Sequence, residues 1–235
     1  MRPCQAQYIR KACIGVDARK RDLMKTSRGF DPRRLLAHPE IYRKFRHTVA
    51  GNSAARLVAD FLKIESGQRV LDIGCGTADI LDHIPHDIDY HGYDIEPGYI
   101  ASARERYGHR ASFAVRSVSP EAADGLGMFD VVIALGVLHH LSDPLAGALF
   151  ATAVKVLRPV GRLVTLDGAY VKGQHPVARL LLAFDRGRHV RTPEAYLAIA
   201  RQHFRDANAT ILHNLLVVPY THCIIDARGA IASFS

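Results

Sequence analysis

Chemistry first becomes legible in the stretch Val70-Leu71-Asp72-Ile73-Gly74-Cys75-Gly76-Thr77-Ala78, where an apolar run stops at a glycine turn. Glycines at 74 and 76 tolerate backbone angles and close ligand approach that a side chain would block. Cys75 between them meets the turn's need for a small residue. Such a turn brings the amides at the start of the following helix against a bound molecule. The third glycine of the dinucleotide fingerprint is replaced by Asp79, which argues against a nicotinamide cofactor. Asp72, just ahead of the turn, suits a ligand carrying a cationic ammonium group. Asp94 lies twenty residues beyond Gly74, where a carboxylate can accept hydrogen bonds from both hydroxyls of a ribose. A lone aspartate after a strand is otherwise a turn or cap residue.

Two further groups of residues can move protons or grip an acceptor. His139 and His140 follow an apolar run, and imidazole titrates near neutral pH, as a general base should. The plain alternative is that one of them packs or caps the next helix. Downstream, Asp167, Tyr170, His175, Asp185, Arg186, Arg188, His189 and Arg191 crowd beside Leu180, Leu181, Leu182 and Phe184. Residues 168–192 therefore read as a substrate lid with a short helix. Tyr170, Arg186 and Arg191 are its candidate acceptor contacts, the arginines toward a phosphate or carboxylate. Tyr220-Thr221-His222 lies where it can join the same pocket.

The elements that must position these residues alternate. Strands are expected at 69–73, 90–95, 111–115, 129–135 and 162–167, with helices at 78–83, 98–107 and 143–157 between them. This order implies a parallel sheet covered on both faces. A helix at 193–204 and two strands at 210–217 and 221–227, separated by Pro219, close the chain as an antiparallel pair. Ahead of the first strand, Leu35, Leu36, Ile41, Tyr42 and Phe45 share a helical face. Ala55, Val58, Ala59 and Leu62 define a second helix, with Ser53 as its expected cap.

Composition narrows the class. The first fifty residues hold 13 Lys/Arg and 4 Asp/Glu, whereas the remaining 185 hold 18 and 19, so the net charge of +8 belongs to an N-terminal arm. Residues 1–30 read as a basic leader, with Met24 as an alternative start, and residues 31–235 as a single domain. No apolar run approaches the ~20 residues of a membrane-spanning helix. Cys4, Cys13, Cys75 and Cys223 are scattered, which indicates neither a metal site nor a disulfide framework. A reduced, cytoplasmic setting is the expectation.

Together VLDIGCGTADIL, HGYDIEPGYIASARERY, FDVVIALGVLHHLSD and LRPVGRLVTLDG, spanning roughly residues 66–168, resemble the successive motifs of class I S-adenosylmethionine-dependent methyltransferases. The resemblance implies a doubly wound, mostly parallel seven-stranded sheet with an antiparallel C-terminal strand and N-terminal helices. It also implies S-adenosyl-L-methionine as cofactor and S-adenosyl-L-homocysteine as product. Asp72 and the Gly74-Cys75-Gly76 backbone would hold the methionine amino and carboxylate groups. Asp94 would hold the ribose, Ile95 would pack on the adenine, and Leu135 and Gly136 would flank the methionine. Ser117 stands where relatives place an acid for the adenine amino group, and Pro159-Val160-Gly161 replaces the usual Pro-Gly-Gly.

Motifs for adenine or glutamine N-methylation and paired catalytic cysteines are absent. The expected reaction is thus methyl transfer to oxygen or nitrogen of a small, anionic acceptor. The rival readings are an RNA methyltransferase using the basic arm, and a protein that binds the cofactor without transferring its methyl group.

Overall fold

The structure, a computed structural model, describes residues 52–117, 119–185 and 187–231. The basic leader, the helix expected over Leu35–Phe45, and Arg186 lie outside the described residues.

Seven strands form one sheet in the order β3-β2-β1-β4-β5-β7-β6. They are β1 (Arg69–Ile73), β2 (Asp89–Asp94), β3 (Ala111–Val115), β4 (Phe129–Leu135), β5 (Leu157–Gly168), β6 (Phe204–Leu212) and β7 (His222–Ala230). The first five run parallel, and β7 lies antiparallel between β5 and β6. Among the described residues the α-helices are α1 (Ser53–Leu57), α2 (Pro97–Tyr107), α3 (Asp143–Val156), α4 (Pro176–Phe184) and α5 (Pro193–Ala200). Strand order reverses between β1 and β4, which opens a crevice at the carboxyl ends of those strands.

A parallel sheet is hydrophobic on both faces, because helices cover each. One core gathers Leu71, Phe129, Val132, Phe150, Leu163 and Tyr196. The other gathers Leu62, Val70, Tyr90, Ile100, Ile133 and Val164. Alternation along each strand decides which core a side chain joins. Among the described residues no helix is long and apolar enough to cross a membrane.

The expected elements are present with shifted limits. Strand β5 starts at Leu157 because the Pro159–Gly161 turn is taken up inside it as a bulge, its register on β4 jumping between Phe129–Leu157 and Val131–Arg162. Strand β6 begins at Phe204 and ends at Leu212, so the apolar run from Leu215 leaves the sheet ahead of Pro219. The sequence Phe-Arg-Asp-Ala-Asn-Ala of this edge strand is too polar to show an apolar period. Residues 79–83 form a 3-10 turn entered through Ala78 in left-handed geometry. Ser53 is the first residue of α1 and buried, while Asn52 precedes it without a side-chain capping bond.

Helix α1 continues as a π-helical turn, Val58–Leu62, that stops at left-handed Lys63. Its terminal carbonyls need donors, and Arg162 on β5 supplies them, bonding Phe61 O at 3.2 Å and Leu62 O while pairing with Asp226 at 2.8 Å. Arg162→Met should therefore leave buried carbonyls unpaired and lower unfolding stability by about 2–3 kcal/mol. Urea denaturation followed by circular dichroism checks this, and an unchanged midpoint contradicts it.

Candidate active site

The turn after β1 is held from two sides. Gly74 N and Cys75 N donate to Tyr93 O at 2.7 and 3.1 Å, which ties the turn to β2. Gly74 has φ +78°, and a Cβ there would stand 2.6 Å from Val137 Cγ2, so both backbone angle and space require glycine. Cys75 points inward, its sulfur lying over Gly92, and burial raises its thiol pKa far above the ordinary range. The thiol is therefore packing, and the backbone of the turn is what a ligand meets.

Asp94, at the end of β2, accepts from Gly76 N through Oδ2 and from Glu96 N through Oδ1, both at 2.9 Å. Each carboxylate oxygen has a second lone pair for a ligand hydroxyl. Ile95 is 40% exposed beside it. Ser117, beyond β3, is also exposed. On the other side of the crevice Leu135 is half-buried, and Gly136 is exposed with φ +74° and its amide bound to Leu166 O.

Asp72 is buried on β1. Its Oδ2 accepts the Tyr90 hydroxyl proton at 2.5 Å, whereas its Oδ1 is buried and has no partner among the described residues. Burial pushes this carboxyl up to about 7 against the opposing Tyr90 hydrogen bond, and the charge of Asp94 adds to the rise. An unpartnered carboxylate oxygen in a dry site favours a cation. An ammonium group at the turn is therefore what this acid fits, and the open backbone at Gly76, where a Cβ would meet nothing, fits a carboxylate beside it. Tyr90 is a partner of Asp72 that the linear sequence concealed. Only the register Asp72–Gly92 and Val70–Tyr90 brings it beside Asp72.

A second constellation sits at the ends of β4 and β5. His139 lies buried on a 3-10 turn, Leu138–His140, and Asp167 Oδ1 takes both its Nδ1 (2.8 Å) and its backbone N (3.1 Å). Its Nε2 lies 3.6 Å from Asp185 Oδ1. Burial opposes a charge on His139, but the hydrogen bond and charge of Asp167, with the charge of Asp185, outweigh it and raise the imidazole above its ordinary pKa. Tyr220 donates to Asp185 Oδ2 at 2.8 Å, and His222 packs against the Tyr220 ring. Burial, then the charge of His139, lowers His222 to about 4, so it stays neutral, and its Nδ1 is buried without a partner among the described residues. His140 is exposed, its ring 4.1 Å from that of His139.

The connection after β5 closes over His139. His189 N donates to His139 O at 2.9 Å, and Gly187 lies so near that a Cβ would be 2.1 Å from His139 Cδ2. Tyr170 is half-buried at the start of this connection.

Arg191 corrects the expectation of an acceptor-gripping arginine. It is buried, and all five of its guanidinium N–H groups are engaged. They bond Asp143 Oδ1 twice (2.9 and 2.7 Å) and the carbonyls of Leu138 (2.9 Å), His189 (3.0 Å) and Leu141 (2.6 Å). Arg191 thus fastens the histidine turn to the connection, and nothing of its fork is left for a ligand.

Residues 71–163 match the family model described as a methyltransferase domain. The chain is 35% identical over 118 residues to 27-O-demethylrifamycin SV methyltransferase of Amycolatopsis mediterranei, covering 47% of this chain and 42% of that protein. It is 31% identical over 137 residues to ubiquinone biosynthesis O-methyltransferase of Xanthomonas oryzae pv. oryzae, covering 53% of this chain and 55% of that one. The chain thus spans about half the length of these relatives. Among solved structures, the apo form of the S-adenosylmethionine-dependent methyltransferase SibL superposes with a TM-score of 0.66 at 20% identity, covering 95% of this chain and 69% of that one. Residues 71–163 thus match a methyltransferase domain, and the glycine turn, Asp72 and Asp94 are the parts whose chemistry would suit S-adenosylmethionine.

Two outcomes follow. The cofactor's ammonium group favours ionised Asp72, so below its folded pKa of about 7 binding must release a proton. Affinity for S-adenosylmethionine should rise from about pH 5.5 to about pH 7 and then level off. Asp72→Asn should bind weakly and lose that slope. Calorimetry in buffers of different ionisation enthalpy measures both, and a flat wild-type profile contradicts the assignment. Arg191→Ala should lower stability by about 2–3 kcal/mol, because the carbonyls of His189 and Leu141 lose their donor and that of Leu138 loses one of two. An unchanged denaturation midpoint would show the arginine to be dispensable to the fold.

Proposed function

We propose that this chain transfers the methyl group of S-adenosylmethionine to an oxygen of a small acceptor. One observation carries the reading. The Asp72 turn lies at the ends of β1 and β2, the His139–Asp167 pair lies at the ends of β4 and β5, and β1 and β4 are neighbours on the same sheet edge. A donor on the first and an acceptor beside the second would meet across that crevice. The named activities of the two sequence relatives, the second an O-methyltransferase by name, favour oxygen as the receiving atom.

The bound cofactor supplies an electrophilic methyl carbon. The chain's own residues have three tasks. Asp72, the turn backbone and Asp94 orient the donor, which lowers the entropic part of the barrier. The connection after β5 excludes water from the ends of β4 and β5. In its neutral form His139 accepts the acceptor's hydroxyl proton, with Asp167 fixing the ring through Nδ1 and stabilising the imidazolium that results. His140 stands at the rim. An anionic group on the acceptor would have to be met by residues other than Arg191, whose donors are all engaged.

The test supplies methyl-labelled S-adenosylmethionine to the full chain with a fractionated metabolite extract and total RNA. Label should enter the small-molecule fraction. His139→Asn should lower that rate by about 100-fold or more while cofactor affinity is kept. The wild-type rate should rise with pH through the raised pKa of His139, because only the neutral ring can accept a proton. Label entering RNA overturns the small acceptor, and tight cofactor binding without any transfer overturns the activity itself.

A further inference from the structure

Exposed apolar side chains normally stand singly on a protein surface. On α4 they do not. Val177, Leu180, Leu181 and Phe184 are 44, 56, 38 and 63% exposed, and their spacing places them in one stripe along the helix. The other side of α4 supplies the contact with the domain, where Ala178 and Leu182 are buried and Leu182 reaches toward Gly168 on β5. The helix is therefore apolar on two faces, and the domain uses one. Val217, 73% exposed, lies in the loop 213–221, which Tyr220 ties to the end of α4 through Asp185.

Charge around the stripe has one sign. Between Gly168 and Pro193 the only acid is Asp185, and it is turned toward His139 and Tyr220. Lys172 ahead of the helix and Arg188 beyond it are exposed. An apolar stripe flanked by cations at both ends matches the boundary between acyl chains and anionic headgroups. Apolar burial and charge attraction add there, and neither is large alone.

We infer that α4 docks this domain on an anionic membrane surface through Val177, Leu180, Leu181 and Phe184. Docking would turn the carboxyl edge of the sheet, with its crevice, toward the lipid. The inference does not rest on methyl transfer, since vesicle binding is measured without cofactor or acceptor.

The chain has no tryptophan, so Leu180→Trp is a single-site reporter. Added vesicles of phosphatidylcholine and phosphatidylglycerol should shift its emission to the blue, whereas pure phosphatidylcholine should do so weakly. The full-length wild-type chain should float with the anionic vesicles. The Leu180→Ser, Leu181→Ser double variant, with an unchanged circular dichroism spectrum, should lose about tenfold or more of that partition. The basic N-terminal arm can also attract anionic lipid, so equal flotation of wild type and double variant would assign the binding to the arm and overturn the proposal. An unshifted tryptophan would overturn it too. So would a wild-type dimer that the serine variant turns into a monomer, because the stripe would then be covered by a second copy.

Discussion

Five parallel strands bring all their carboxyl ends to one edge of the sheet, and the ladder that satisfies their backbones stops there. Every amide and carbonyl beyond that line must find a partner in a turn, a side chain or a ligand. The reversal of strand order between β1 and β4 then prevents the connecting segments from closing over the middle of the edge. The glycine turn, the two aspartates and the histidine turn are local answers to that one requirement. Gly74 and Cys75 give their amides to β2, Gly76 gives its amide to Asp94, and Gly136 gives its amide to Leu166.

Burial separates the acids along this edge into different roles. Asp94 sits where backbone amides keep its carboxylate engaged, and it works as a brace that still has room for a ligand. Asp72 is buried with one oxygen spent on Tyr90, so its charge waits for a cation. Asp167 is as deeply buried but has a partner at hand in the imidazole of His139. Asp185 is held below its ordinary pKa although burial opposes this, through the Gly187 amide, the Tyr220 hydroxyl and the charges of His139 and His140. Four carboxylates of one chemical type thus differ because each meets a different set of donors.

The connection from β5 to α5 is the part of the edge that folds back. Arg191 spends its whole fork on holding that connection to the histidine turn. This makes the arginine a structural member of the site and leaves α4 attached by a small inner face. A helix so attached, with a second apolar face outward, satisfies the hydrophobic effect only in part. That residual surface gives the domain a second interaction site beside its crevice.

The motifs from Val70 to Gly168 could be read without coordinates, because a parallel strand buried on both faces leaves an apolar run and a turn beneath a ligand leaves glycines. The strands at 69–73, 111–115 and 129–135 and the glycine turn at Gly74 and Gly76 were legible for that reason. Pairing was not legible. Tyr90 meets Asp72 through the register of β1 on β2, and His139 meets Asp185 across a segment of more than forty residues, separations at which no local period survives. Arg191 shows the difference most clearly. By composition it was one more cation in a basic connection suited to an anionic acceptor. Only the tertiary structure set three carbonyls and Asp143 around it, because a buried guanidinium takes whichever acceptors the packed chain presents.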